Sequence, residues 1–384
     1  MRQFMPLTLA AGWLFVTIPV ILAAGPQPEQ SKATAGDREA GISERRAAAI
    51  SAIESQGGQF RFDEEAPGRP PIALRATRIR SHTKEPGSLH VDQLTDQAMA
   101  QVATLTSLQE LDLDQSGVTD AGLIHLQRLG ELRVLRLPGE TTDAGLAHVR
   151  GLGKLQKLDL GFSAVTDAGL VHLQGLSQLQ ELSCWSGVGD DGLAHLKELN
   201  QLLVLELFGT KVTDAGLVHL REFTRLEELS LRGTPITGTG LVHLPGLPRL
   251  RRLELGETKI TDVTMEHLAG LPHLQVLVLV GTRISDAGLA HLKGLTQLQE
   301  LFLTATDVTD AGMVYLERLT ELRWLVLADT KVSDAGLTHL KGMTNLRELM
   351  LPGSGVTDAG VRNLQEALPK LKIVRVLSKV KVVP

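Results

Sequence analysis

Apolar positions from residue 105 onward follow two rhythms in turn. In one full copy, Leu202, Leu205 and Leu207 end on apolar–polar alternation, the period of a strand. Leu217, Leu220 and Phe223 then fall three residues apart, the spacing of one helix face. Between the two lies Val-Thr-Asp-Ala-Gly-Leu. Its Thr position falls at Thr95, Thr119, Thr142, Thr166, Gly189, Thr213, Thr237, Thr261, Ser285, Thr309, Ser333 and Thr357. The steps are 24, 23, 24, 23 and then seven of 24 residues. A strand plus a short helix in so short a unit cannot bury its own apolar face. Stacked copies bury it between neighbours, so twelve copies at one period predict a solenoid.

The ends of the chain follow other patterns. Residues 4–24 are 21 residues without a charge, preceded by Arg2, and predict a signal peptide or membrane anchor over 1–24. Residues 25–42 (GPQPEQSKATAGDREAGI) predict a linker. Ser43 offers an N-cap for a helix with Ala47, Ile50 and Ile53 on one face, which Gly57-Gly58 ends. Phe60 and Phe62 then suggest a short strand. Residues 43–69 therefore predict an N-terminal helical cap over the first open core face. The solenoid is expected over 70–377, beginning with a degenerate copy whose strand ends at Ile72-Ala-Leu74, and a basic tail over 378–384.

The pattern LxxLxLxxTxVTDAGLxHLxxL resembles the leucine-rich repeat family. Within it, the pattern is most similar to the subclass with Thr-Asp-x-Gly-Leu at the helix start, found in F-box-associated and bacterial exported proteins. The resemblance covers residues 94–377 and implies an α/β fold: a curved solenoid with a parallel sheet on its concave side and short helices outside. Ser116, Ser163, Thr210, Thr234, Thr258, Thr282, Thr306, Thr330 and Ser354 replace the family's usual Asn or Cys after the strand. A hydroxyl there can still bond the turn backbone.

The repeated polar residues point to scaffold before chemistry. Asp recurs after the Thr, at residues 96, 120, 143, 167, 190, 214, 262, 286, 310, 334 and 358, and Thr or Asp is expected to cap the helix. Nine histidines hold one place in the copy: His125, His148, His172, His195, His219, His243, His267, His291 and His339. They are expected to bond backbone or the Asp of an adjacent copy, and to loosen the array when protonated. One Asp per copy is too sparse for a calcium roll, and no metal is expected. The single cysteine, Cys184, stands at a strand Leu position and forms no intramolecular disulfide. No His-Glu-x-x-His, Walker loop, Gly-x-Ser-x-Gly or cofactor motif occurs, so neither catalysis nor a cofactor is expected. A net charge of −5 gives no footprint for nucleic acid, although Lys370, Lys372, Arg375, Lys379 and Lys381 concentrate +5 at the end.

Binding information lies in the strand positions that vary. The central column of the expected concave face reads Asp112, Arg136, Asp159, Ser183, Glu206, Ser230, Glu254, Val278, Phe302, Val326 and Met350, turning from acidic to apolar near Val278. Flanking columns add Val276, Val280 and Trp324 late, and set Trp185 beside Phe208. An apolar patch rimmed by charge marks an interaction site, and aromatics are frequent anchors. The 23-residue copies each lose a residue after the strand, near Glu140 and Gly187, which should tighten the turn beside Trp185. The reading is an exported, non-catalytic scaffold that binds a protein or peptide on the concave face. Its contact residues are Trp185, Phe208, Glu206, Glu254, Val276, Val278, Val280, Phe302, Trp324, Val326 and Met350. Two alternatives stay open: a ubiquitin-ligase-type substrate adaptor, implied by the F-box resemblance, and a cell-wall or carbohydrate-binding module.

Overall fold

The computed structural model describes residues 35–55, 59–62, 70–75, 94–185 and 187–375. The signal or anchor segment, residues 76–93 of the degenerate first copy and the basic tail lie outside them. The chain divides into two compact units, Met1–Pro138 and Gly139–Pro384. The first holds a helix at Ala35–Glu54 and strands β1 (Gln59–Phe62), β2 (Pro71–Arg75), β3 (Glu110–Asp112) and β4 (Val134–Arg136). The second holds β5 (Lys157–Asp159), β6 (Glu181–Ser183), β7 (Val204–Glu206), β8 (Glu228–Ser230) and β9 (Arg252–Glu254). It continues with β10 (Val276–Val278), β11 (Glu300–Phe302), β12 (Trp324–Val326), β13 (Glu348–Met350) and β14 (Lys372–Val374).

Within each unit the repeat strands pair in parallel with their sequence neighbours, and the inward Leu of each copy faces that of the next. Leu74 aligns with Leu111 and Leu111 with Leu135 in the first unit. Leu205, Leu229, Leu253, Leu277 and Leu301 align in the second. These leucines are at most 1% exposed. Each unit is thus an α/β leucine-rich-repeat solenoid, with a parallel sheet on one side and short helices on the other. Strand β1 runs antiparallel to β2, Ile53 is fully buried, and Arg46 donates to Ser107 at 2.9 Å.

Two expectations are corrected. The first helix starts at Ala35, so residues 35–42, read as linker, are helical. Many of the repeat helices are short α-turns such as Asp286–Leu289 that tighten into 3-10 turns, Gly216–Glu222 and Asp310–Arg318 are wholly 3-10, and Asp96–Val102, Asp190–His195 and Asp358–Ala367 stay α. The sequence carries the reason. Leu217, Leu220 and Phe223 recur every third residue, which lines one face of a helix with three residues per turn.

The Thr and Asp of the ruler divide the labour. Thr119, Ser285, Thr309, Ser333 and Thr357 cap their own helices, each hydroxyl accepting the N–H of the Ala two residues on. Asp reaches instead to the next copy. Asp310 accepts the Ser333 N–H at 2.7 Å and the Ser333 hydroxyl at 2.6 Å. Asp96 with Thr119, Asp143 with Thr166, Asp190 with Thr213 and Asp334 with Thr357 repeat that pair of bonds. The same carboxylate lies over the Gly of the next copy's Asp-Ala-Gly-Leu. A Cβ added at Gly288 or Gly336 would stand 2.5 Å from Oδ1 of Asp262 or Asp310. This glycine is therefore required by its neighbour's aspartate rather than by its own backbone angles.

One copy tests that rule. Gly238 stands where Asp is expected, and Thr264 stands where the next copy's Gly is expected. With no carboxylate arriving, the Thr264 hydroxyl takes its place: it accepts the Thr261 N–H at 3.4 Å and donates to the Thr261 carbonyl at 2.9 Å. A Cβ at Gly238 would lie 2.6 Å from Cβ of Thr264. The hydroxyls after the strands also bond as expected, Thr234 to the Leu231 carbonyl and Thr282 to the Leu279 carbonyl, both at 2.6 Å.

Two stability predictions follow from this packing. Gly238 also stands at φ +105°, so Gly238→Asp should lower the melting midpoint through backbone strain as well as the Thr264 contact, and Thr264→Gly added to it should recover only the part due to the contact. Additive single effects would refute the pairing, since contacting sites couple by about 0.5–3 kcal/mol. Thr141 is fully buried with a hydroxyl that finds no partner, at a position held by Val165 in the following copy. Thr141→Val should therefore stabilise the protein by about 1 kcal/mol in denaturant unfolding; a lowered midpoint would contradict this.

Candidate binding surface

The register turns the variable strand positions into columns on the sheet face. Across the second unit the first column runs Lys157, Glu181, Val204, Glu228, Arg252, Val276, Glu300, Trp324, Glu348 and Lys372. The second runs Asp159, Ser183, Glu206, Ser230, Glu254, Val278, Phe302, Val326 and Met350, as the sequence pattern requires. The face divides at β10 into a polar sector and an apolar one.

In the polar sector, β5–β9 place Asp159, Glu181, Glu206, Glu228 and Glu254 against only two cations, Lys157 and Arg252. Lys157 pairs with Glu181. Arg252 donates to Glu254 at 2.5 Å. Ser183 donates to Glu206 at 2.7 Å and Ser230 to Glu254 at 3.1 Å. Burial pushes the Glu228 carboxyl above its ordinary value, Arg252 opposes this, and the charges of Glu206, Glu254 and Glu181 add to the rise. Crowded carboxylates raise one another in this way.

Beside these carboxylates stands an aromatic stack. Phe162 lies 4.2 Å from Trp185 between ring centroids, and Trp185 meets Phe208 edge-on at 4.6 Å. The Arg232 guanidinium sits over Phe208 at 5.2 Å and pairs with Glu257 at 2.7 Å. Sequence reasoning found Trp185 and Phe208 but missed Phe162, which is 75% exposed. Phe162 holds the turn position occupied by Gly209, Gly233 and Gly281 in other copies, one residue past the columns. Its replacement of a small residue was the available signal. The shortened copy behaves as expected: the Gly187 N–H bonds the Trp185 carbonyl at 2.6 Å, a tighter closure than Thr210 to Leu207 in the full-length copy.

The apolar sector brings Val276, Val278, Val280, Phe302, Trp324 and Met350 onto neighbouring strands, each half-buried. Phe302 and Trp324 pack at 5.3 Å. Val326, read as a contact residue, lies between Phe302 and Met350 in register and is only 6% exposed, so it supports the patch rather than presenting it. Trp324 Nε1 is buried with no partner.

The remaining candidates fall outside this surface. Cys184 is buried, and burial pushes its thiol well above the ordinary range. Among the described residues no group of three or more His, Cys, Asp or Glu is placed to hold a metal ion. Among them, too, no helix is long and apolar enough to cross a membrane. The histidines differ from expectation in their partners. Arg150 donates to Nδ1 of His172 at 3.1 Å and Arg221 to Nδ1 of His243 at 2.6 Å, each from the copy before. His339 donates to Glu317 at 2.7 Å. All nine are half-buried, and neither backbone nor the repeated Asp is the partner in these three.

A family model described as leucine rich repeat matches residues 224–284, and a second matches residues 104–126. Among solved structures, an internalin from Listeria monocytogenes is similar at 21% identity over 88% of this chain and 95% of its own, with a TM-score of 0.55. An internalin C2 from the same organism shares 32% identity over 53% of this chain and 84% of its own, with a TM-score of 0.43. The mouse RP105/MD-1 complex is similar at 19% identity over 72% of this chain and 49% of that one, with a TM-score of 0.54. No curated protein matches the chain.

The Arg–His pairs make stability pH-dependent. Burial, then Arg150, lowers the His172 value, and burial, then Arg221, lowers that of His243. The unfolded chain therefore binds protons first as pH falls through about 6.5. The stability these groups contribute is complete above that value and lost on the way down to their lower folded values. The melting midpoint should be lower at pH 5 than at pH 7, and His172→Gln with His243→Gln should shrink the difference. Equal midpoints for the unaltered protein at the two pH values would overturn this.

Proposed function

Because this chain belongs to the leucine-rich repeat family, we propose that it is a non-catalytic scaffold binding a protein or peptide on its sheet face, the concave side in this fold class. The observation that carries the reading is the gathering of Val276, Val278, Val280, Phe302, Trp324 and Met350 on adjacent strands β10–β13. An apolar patch beside a charged sector provides desolvation at its centre and orientation at its rim. The scaffold leaves these positions free to vary, because the Leu core and the Asp–Thr bonds lie elsewhere in each copy. The apolar run at 4–24 supports export of the repeats.

A photo-crosslinking residue at Phe302 should capture a discrete partner from the native cell. The same residue at Val263, which is 75% exposed on the helix side, should not. Phe302→Ala with Trp324→Ala should abolish partner capture, here followed by affinity tag, while costing about 0.5–1.5 kcal/mol for the aromatic pair plus the half-buried area of each ring, with the fold retained. Equal capture from both sites, or capture by the double variant, would refute the reading.

A further inference from the structure

The stack Phe162–Trp185–Phe208 is already used as a cation platform at one end, where Arg232 covers Phe208 at 5.2 Å. At the other end Phe162 is 75% exposed and carries no such cover. An aromatic of that size in water is costly unless a partner covers it, and its ring face attracts a guanidinium or ammonium group. The ground beside the stack favours the same charge. Strands β5–β9 set five carboxylates against two cations: Lys157 pairs with Glu181, and Arg252 pairs with Glu254 while also facing Glu228, so the sector keeps an excess of negative charge. Glu206 faces solvent with a Ser183 bond and Glu228 lies next to it, each without an ion pair among those present.

We infer that this sector binds a basic, extended peptide segment, with an Arg or Lys side chain stacked at the Phe162–Trp185 end and its neighbours over Glu206 and Glu228. The inference rests on the sheet face being the binding face, and adds a second, electrostatic contact distinct from the apolar patch on β10–β13. Four strand spacings separate β5 from β9, about 19 Å, which an extended peptide of about six residues spans. The rings are tilted at 45° and 60° to one another rather than coplanar. That geometry offers separate faces to separate cations and no flat platform for a row of sugar rings.

The test uses the full chain and three probes in calorimetry: (Arg-Gly)3, (Glu-Gly)3 and cellohexaose. The Arg peptide should bind at 50 mM NaCl and weaken at least tenfold at 500 mM, as screened charge pairs do. Phe162→Ala, at a side chain 75% exposed, should weaken it roughly tenfold. Glu206→Gln with Glu228→Gln should weaken it and flatten the salt dependence, while Val263→Ala on the helix side should leave it unchanged. Absence of Arg-peptide binding, equal binding of the Glu peptide, preference for cellohexaose, or an unaffected Phe162→Ala variant would each overturn the inference. Those outcomes leave crosslinking at Phe302 intact, whereas loss of crosslinking with Arg-peptide binding retained would remove only the apolar-patch reading.

Discussion

The architecture depends on one carboxylate crossing from a copy to the next at nearly every junction. Asp310, for example, holds the backbone and hydroxyl of Ser333 and sits over Gly336. The Ser333 hydroxyl in turn caps its own helix. Three requirements meet at that point: helix start, spacing between copies, and a glycine small enough to admit the oxygen. Hydrophobic burial supplies the bulk of the driving force, but Leu against Leu is non-directional and does not fix how one copy sits on its neighbour. The Asp contact is directional, and it keeps each strand one copy out of step with the last. Hydrogen bonds hold the Asp334 and Asp214 carboxyls below the ordinary range; for Asp214 they outweigh the opposing effect of its burial. Their contribution survives to lower pH than that of His172 and His243, so acid should weaken the histidine contacts before the links between copies.

The strand register, the buried leucines and the hydroxyl after each strand were legible because periodicity encodes them directly. The role of the repeated Asp was half legible. A capping motif points to the helix that follows it, and nothing in one copy reveals that the acceptor serves the copy after. The key was present in the exception, since Gly238 and Thr264 change together in adjacent copies. Helix type was readable from the spacing of Leu217, Leu220 and Phe223 but resembled an α-helical face over so short a span. Phe162 was missed because the columns stop at the strand, whereas the turn beyond also projects side chains over the sheet edge. Val326 was placed in the right column, yet column position does not report shielding by large neighbours.

The sheet face of the second unit carries two chemistries side by side. On β5–β9, carboxylates are spaced by the same parallel register that aligns the core leucines; burial raises the Glu228 carboxyl, Arg252 opposes it, and the neighbouring charges add to the rise. On β10–β13 the register brings branched and aromatic side chains into mutual contact. The scaffold bears the electrostatic cost because each strand is anchored from its buried side. On the proposed reading, charge at one end and apolar bulk at the other would give an extended ligand a direction.

The fit between Gly238 and Thr264 has a consequence for how such a chain can grow. Duplication or loss of whole copies preserves a junction only when the new neighbours match, an arriving carboxylate meeting a glycine. Most copies share that interface and are interchangeable, so recombination among them is tolerated. The Gly238 copy and the Thr264 copy are heritable only as a pair. A crossover between them would set an aspartate against a threonine side chain and leave a glycine on the other side with nothing to receive. That junction therefore tolerates the gain or loss of a copy less readily than the junctions where a carboxylate meets a glycine.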